Sequence, residues 1–153
     1  SSVLLRISLF LRRPTMNVSI RHHILATLAF VVPTIILGFS WKFALFKEQY
    51  TALGLYRADI AAPLAMGSLF IQAIFFAWLC QKLLLNLPFG QRTLKMFIYT
   101  FPLGWSYGVC MVGAKHLMTS VWTFTLYETA FILLMHLVAC PLIALSYPAP
   151  VNQ

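Results

Sequence analysis

Acidic residues are nearly missing from this chain of 153 residues, which has three of them against eleven lysines and arginines. Charged residues make up 9% of the sequence and hydrophobic residues 61%, whereas soluble domains are about 25% charged and about 45–50% apolar. The three cysteines (Cys80, Cys110 and Cys140) lie in apolar runs without a CxxC spacing, so they predict neither a disulfide framework nor a zinc site. These scarcities exclude an ordinary soluble domain.

Four long apolar runs fill most of the sequence. Because a membrane-spanning helix needs about 20 residues, four helices with short loops nearly exhaust the chain. The runs predict an all-α, integral membrane four-helix bundle with helices over about residues 24–46, 60–82, 93–114 and 121–147. Residues 24–147 would form one transmembrane domain. The basic segment 1–23, an interfacial helix or an upstream extension, precedes it, and the short tail 148–153 follows.

The basic residues predict the orientation of the bundle, because lysine and arginine collect in loops on the cytoplasmic side. One side has Arg6, Arg12, Arg13, Arg21, Lys82, Arg92 and Lys95, and the other has Lys47, Arg57 and Lys115. Both termini are therefore predicted to be cytoplasmic. The net charge of +8 follows from this bias. Since no basic stripe with interleaved aromatics lies outside the apolar runs, nucleic acid is not a predicted partner.

Glu128 is the most unusual residue, because it is a carboxylate inside the last apolar run. At about 1.5 Å per residue it lies about 10 Å inside the outer end of its helix. The same count puts one or more polar groups of every helix about 6–12 Å inside. The predicted intramembrane polar cluster is Ser40, Lys42, Ser68, Tyr107 and Glu128.

A contact between Lys42 and Glu128 is predicted, with Tyr107 as a third member, because an unpaired charge at the bilayer centre costs about 2.5–3.5 kcal/mol. Three interpretations remain open: a structural clasp that fixes helix packing, a ligand, ion or proton site open to the outside, and a protonated Glu128 that faces a carbonyl or another subunit. Above the cluster, the loops form either a charged outer rim or a solvated surface. The candidate rim residues are Arg57, Asp59, Lys115 and His116.

His136 lies further along the same helix as Glu128. It is either a histidine hydrogen-bonded across helices or the end of a proton relay from Glu128 through Gln72. A haem with two axial histidines is not predicted, because His136 is the single histidine in mid-membrane. No catalytic residue, metal site or cofactor is predicted, and bound lipid is compatible with the sequence.

Short motifs resemble a family of small bacterial membrane proteins of unknown function. They are Phe46-Lys47-x-x-Tyr50-x-x-Leu53-Gly54-x-Tyr56-Arg57, Lys115-His116 with Ser120-Val121, Glu128-x-Ala130-Phe131 and Pro141-Leu142-Ile143. The resemblance covers about residues 16–147. It implies a four-helix protein of the bacterial inner (cytoplasmic) membrane, and it implies no activity.

Two functions are expected from these observations. The first is a non-catalytic accessory or structural subunit that associates laterally with a larger membrane complex, so that its partners are the lipid bilayer and other membrane protein subunits. The alternative is a binding or transport protein for a small solute, an ion or a lipid that uses the polar cluster.

Pairs of small residues are candidates for close helix contacts: Gly104/Gly108, Ala61/Ala65 and Ala73/Ala77.

Overall fold

A computed structural model describes residues 18–56 and 61–150 of the chain. Its α-helices are α1 (Ile20–Phe39), α2 (Lys47–Leu53), α3 (Ala62–Leu79), α4 (Phe89–Trp105), α5 (Val112–Lys115) and α6 (Val121–Leu145). Three of them continue without a break into π-helical segments, Ser40–Leu45 after α1, Cys80–Leu84 after α3 and Ser106–Met111 after α4. The described ranges contain no strand, so the predicted all-α class is confirmed.

Three helical runs are long and apolar enough to cross a membrane: Ile20–Leu45, Ala62–Leu84 and Val121–Leu145. They mark the chain as membrane-embedded, and they start and end within about four residues of the predicted bounds. The third predicted helix is also helical, over α4, its π-helical continuation and α5. This helical run is not one of the three candidate spans, because it is less apolar and its first turns contain Arg92 and Lys95.

Helix α6 is the central helix of the bundle. Half of its most apolar stretch is buried, against 17% for the α1 run and 22% for the α3 run. It packs against α1 on one side and α4 on the other, while α3 packs against α1. Gly104 and Gly108 allow the close approach of α4, since a Cβ at these positions would lie 3.1 Å from Cε1 of His136 and 2.8 Å from Cδ1 of Ile132.

Helix α3 belongs to the bundle only in its C-terminal half, which is the inner half in the predicted orientation; inner and outer refer to that orientation below. Ala73 and Ala77 are fully buried there, as expected for a small-residue pair at a helix contact. In contrast, residues 61–68 are all exposed, including the predicted pair Ala61/Ala65. The outer half of the core is built without α3, from the other helices and from α2. The outer half of α3 therefore has a surface that the described chain leaves uncovered.

The first outer connection folds back into the bundle, which the sequence analysis did not predict. Its short helix α2 buries Tyr50 and Leu53, which are 1% and 2% exposed. Gly54 ends α2 in the left-handed conformation with φ of 66°. Thr119 holds the segment down, because its N–H donates to Leu53 O at 3.2 Å and its hydroxyl to Ala52 O at 2.9 Å. This segment supplies the third member of the candidate site.

Candidate functional site

The carboxylate of Glu128 is bound by a donor at each oxygen. Lys42 Nζ lies 2.5 Å from Oε1, and the hydroxyl of Tyr50 donates to Oε2 at 2.7 Å. Glu128 is 7% exposed and Tyr50 1% exposed. The predicted contact between Lys42 and Glu128 is thus present, and it is the single ion pair within residues 18–56 and 61–150. Lys42, Tyr50 and Glu128 are called the Glu128 cluster below.

Aromatic rings complete the surroundings of the lysine. Its Nζ lies 4.7 Å from the ring centre of Phe131 and 5.4 Å from that of Tyr50. Both distances suit cation–π attraction, which is stronger away from water. Lys42 comes from the π-helical segment at the end of α1, and such wider turns are common at functional sites. The ammonium is therefore neutralised by Glu128 and packed on two rings.

Tyr50 takes the position that the sequence analysis gave to Tyr107. Tyr107 has the matching depth, but it lies on the π-helical segment after α4, faces outward and is 73% exposed. The pKa of Tyr50 is raised well above its usual range, first by burial and then by the charge of Glu128. The Tyr50 hydroxyl consequently keeps its proton and remains a donor to the carboxylate.

Two other members of the predicted cluster lie outside it. Ser40 and Ser68 are exposed, and Ser68 Oγ accepts a hydrogen bond from Gln72 Nε2 of its own helix at 3.1 Å. The proposed relay through Gln72 is not supported by this arrangement, because the Gln72 side chain bonds on the exposed surface of α3. Ser40 and Ser68 therefore have a depth similar to that of Glu128, but they do not contact it.

The predicted outer rim is only partly described. Arg57 and Asp59 lie outside the described residues. Lys115 and His116 are exposed, and His116 Nδ1 lies 3.1 Å from Val112 O in the preceding helical turn. The charged rim stays a prediction.

His136 is a packing residue in the interior of α6, and it is 1% exposed. Its Nδ1 is 2.8 Å from Ile132 O, so this nitrogen carries the proton and donates within the helix. The ring of Phe101 stands edge-on to the histidine ring, with centres 5.7 Å apart. His136 Nε2 has no partner in the described part of the chain.

Arg92 is a second buried charge, which the sequence pattern presented only as a marker of orientation. It is 2% exposed. Its guanidinium donates to backbone oxygens of Ala144 (2.9 Å), Tyr147 (3.3 Å), Leu85 (2.8 Å), Leu87 (3.2 Å) and Pro148 (3.1 Å). Arg92 therefore joins the start of α4 to the end of α6 and to the loop after α3. Nothing in the sequence distinguishes it from an arginine in a solvated loop.

Tyr147 completes this inner junction. Its hydroxyl donates to Ala77 O of α3 at 2.7 Å, and it is 4% exposed. Burial, and then the neighbouring Cys80, raises the pKa of Tyr147 well above its usual range, so the hydroxyl stays protonated. Arg92 and Tyr147 together tie three helices at the inner end.

One groove borders the Glu128 cluster, with a volume of about 240 Å³. It is open and mainly apolar, and its lining residues are Thr34, Ile35, Gly38, Phe39, Lys42, Phe43 and Phe131. Lys42, whose side chain is 21% exposed, is its charged residue. Such a groove fits a hydrocarbon chain better than a hydrated solute.

The chemistry available to the Glu128 cluster is limited, because both carboxylate oxygens already have donors. Within the described ranges, no three side chains of histidine, cysteine, aspartate or glutamate are grouped to hold a metal ion. The arrangement is that of a closed clasp between α1, α2 and α6. Comparison of the chain with protein-family models, with curated proteins and with solved structures finds no match.

Proposed function

We propose that this chain is a non-catalytic, four-span protein of the bacterial inner membrane that associates laterally with a larger membrane complex as an accessory subunit. Both termini are on the cytoplasmic side in this proposal. The bacterial origin depends on the family resemblance of its loop motifs. The fourth span and the lateral association are supported by contacts and surfaces of the described residues.

The fourth span is supported by the way α4 runs along α6. At the inner end, Arg92 donates to backbone oxygens at the end of α6. At the other end, a Cβ on Gly113 would lie 3.7 Å from Val121 at the start of α6. The helical run from α4 to α5 thus extends along the whole length of a helix that is long enough to cross the membrane. If α6 crosses, the antiparallel α4 run crosses with it.

The observation that carries the accessory function is the outer half of α3, which the described residues leave uncovered. Residues 61–68 are all exposed, and the polar side chains of Ser68 and Gln72 lie on the exposed surface. Polar side chains within a membrane segment usually face protein rather than lipid. In contrast, the one described intramembrane carboxylate, Glu128, already has a donor at each oxygen. A surface for a protein partner is therefore better supported than a chemical site.

Mass spectrometry of particles released gently from native membranes tests this function. The chain has a mass of 17.4 kDa, and we expect to find it in a particle that also contains other membrane proteins. Recovery solely as a monomer, or solely as a small homo-oligomer, would contradict the accessory function. Extraction with increasing amounts of detergent serves as the control, because proteins that are subunits of the particle dissociate from it in steps as the detergent concentration rises.

The groove beside Lys42 favours lipid binding as a second candidate function. Its apolar lining suits an acyl chain, and the ammonium retains N–H donors for an anionic headgroup. In the same mass spectra, this function predicts a lipid adduct that is lost in Lys42→Met and kept in Lys47→Met, where the exposed lysine lies outside the groove. Equal lipid retention by both variants would exclude the groove as the binding site.

A further inference from the structure

Gln72 lies near the middle of the membrane segment Ala62–Leu84, with ten residues before it and twelve after it. At about 1.5 Å per residue, Gln72 is about 15 Å from one end of the segment and about 18 Å from the other. The side chain is on the exposed surface, where Nε2 donates to Ser68 Oγ at 3.1 Å. A carboxamide has two N–H donors and an oxygen with two lone pairs. Among the described residues, the second N–H and the oxygen of this carboxamide have no partner.

The residues around Gln72 leave room for another helix. Ala65, Ser68, Gln72 and Phe75 follow one another at spacings of three, four and three, and all are exposed. At 3.6 residues per turn they lie in a band about 80° wide along α3. This spacing is that of a seam between two helices. The residues one and two turns outward from Gln72 are small, so a second backbone can approach closely.

The face of α3 that packs inside the chain is a different one. Ala73 and Ala77 are turned about 100–140° away from Gln72 around the helix, and they are fully buried. The band of Ala65, Ser68, Gln72 and Phe75, called the Gln72 stripe below, is consequently free while α3 keeps its contact with α1.

A second copy of this chain satisfies Gln72 by symmetry. All copies have the same orientation in the membrane, so a two-fold axis along the membrane normal brings two α3 helices together in parallel, with each Gln72 at the same depth. A carboxamide complements itself: each copy donates one N–H to the Oε1 of the other, while its second N–H stays on its own Ser68. Any other partner needs a donor and an acceptor at this depth.

We propose that the Gln72 stripe is a two-fold contact between two copies of this chain, closed by a reciprocal pair of Gln72 hydrogen bonds. The inference rests on the proposed lateral association, and it names the partner at one surface. The contact leaves the Glu128 cluster and the inner junction of Arg92 and Tyr147 undisturbed. It also explains why a carboxamide is placed in the lipid-facing middle of a helix.

Disulfide cross-linking in native membranes tests the contact. The exposed Cys110 is replaced by alanine, and the buried Cys80 and Cys140 are kept. Ala65→Cys in this background should form a cross-linked dimer on oxidation with copper phenanthroline. The matched control is Gly67→Cys, which is also exposed, lies two residues away and has open space around its Cβ. It points about 160° away from Ala65 and about 120° away from the centre of the stripe, so little dimer is expected.

Variants of Gln72 then test the hydrogen bonds. In the Ala65→Cys background, Gln72→Leu should weaken dimerisation by about tenfold in a lipid-dilution series. Gln72→Asn keeps a carboxamide and should retain most of the dimer. Because the position is exposed, neither variant should change the thermal stability of the monomer. Equal cross-linking from Ala65→Cys and Gly67→Cys, or no loss with Gln72→Leu, overturns the proposal.

The outcomes separate this inference from the accessory function. A cross-link from Ala65→Cys to a protein of another mass overturns the two-fold contact and leaves the accessory function standing. A homodimer that is recovered without any other protein supports the two-fold contact and contradicts the accessory function.

Discussion

At the scale of single residues, the Glu128 cluster depends on mutual neutralisation. Two buried charges lose their hydration, and their attraction offsets that loss only when the geometry and the remaining hydrogen bonds are good. Here Glu128 accepts from both Lys42 and Tyr50. Removing one charge leaves the other uncompensated, whereas removing both leaves the Tyr50 hydroxyl as the one group of the cluster without its partner.

Paired substitutions should reveal this coupling. Glu128→Leu alone and Lys42→Met alone should each lower the free energy of unfolding by about 3–5 kcal/mol, because a buried charge loses its partner. The double variant should recover part of that loss, and the remainder reflects the Tyr50 hydroxyl, which loses its acceptor. Thermal unfolding in detergent micelles measures the three variants, with Ser40→Ala as an exposed control on the same segment. Additive losses in the double variant would show that Lys42 and Glu128 are not coupled.

Tyr50 and Tyr107 offer a direct comparison between the observed and the predicted third member. Tyr50→Phe removes a hydrogen bond to a charged acceptor and should cost about 1.5–3 kcal/mol of unfolding free energy. Tyr107→Phe removes a hydroxyl from an exposed ring and should change stability by less than about 0.5 kcal/mol. Parallel unfolding curves measure both. A larger loss in Tyr107→Phe than in Tyr50→Phe would show that Tyr107, and not Tyr50, is the third member of the cluster.

Depth counting predicted part of this site and missed the rest for a physical reason. A count of residues gives the position of a side chain along the membrane normal, and it correctly matched Lys42 with Glu128. It does not give the direction around the helix, which depends on the contacts with neighbouring helices. Ser68 and Tyr107 therefore have the expected depth and face outward. Tyr50 was missed because its loop folds back into the bundle.

At the scale of elements, Arg92 acts as a cap for α6. The last carbonyls of a helix have no partners within the helix, and an arginine fork can bond several of them at once. Arg92 binds Ala144 O and Tyr147 O in this way and also Leu85 O. The inner ends of α4 and α6, together with the loop after α3, are held by one side chain.

Arg92→Lys should disrupt this cap, because a single ammonium cannot reach five oxygens spread over two segments. We expect a loss of about 2–3 kcal/mol of unfolding free energy and faster hydrogen exchange over residues 142–147. The control is Lys95→Met on the exposed side of the same helix, which should leave exchange at the end of α6 unchanged. Exchange rates that are the same in Arg92→Lys and the native protein would mean that α6 ends without help from Arg92.

Sequence patterns predicted the long helices better than their ends. Runs of apolar residues determined α1, α3 and α6, because a helix in lipid must have apolar side chains on most of its surface. The role of Arg92 could not be predicted, since the sequence does not show whether a basic side chain at a helix end points outward into solvent or inward into the bundle. The burial of α2 was hidden for a similar reason: its sequence, Lys47–Leu53, has the polar character of a connection.

At the scale of the whole molecule, the number of spans determines which loops share a side of the membrane. With four spans, the loop at Asn86 and the tail at Ala149 are cytoplasmic, and the loop at Leu117 is outside. With three spans, α4 would lie along the inner surface. The loop at Leu117 would then be inside and the tail outside. The two arrangements therefore give opposite sides to Leu117 and Ala149.

Single cysteines at these positions distinguish the arrangements. Leu117 is 96% exposed, and Asn86 and Ala149 are also exposed. In the Cys110→Ala background and the proposed orientation, we expect a membrane-impermeant maleimide to label Leu117→Cys on intact cells, and to label Asn86→Cys and Ala149→Cys only after permeabilisation. The background without an added cysteine is the control, since Cys80 and Cys140 are buried.

The expectation of four spans follows from how α4 and α6 are joined. Arg92 connects the two helices at the inner end, and Gly113 lies against Val121 and Phe124 at the outer end. Laying α4 on the membrane surface would break both contacts and leave the Arg92 guanidinium without its carbonyls. It would also uncover Gly104 and Gly108, which face α6. Labelling of Ala149→Cys on intact cells, with Leu117→Cys protected, would mean that these contacts do not exist in the membrane.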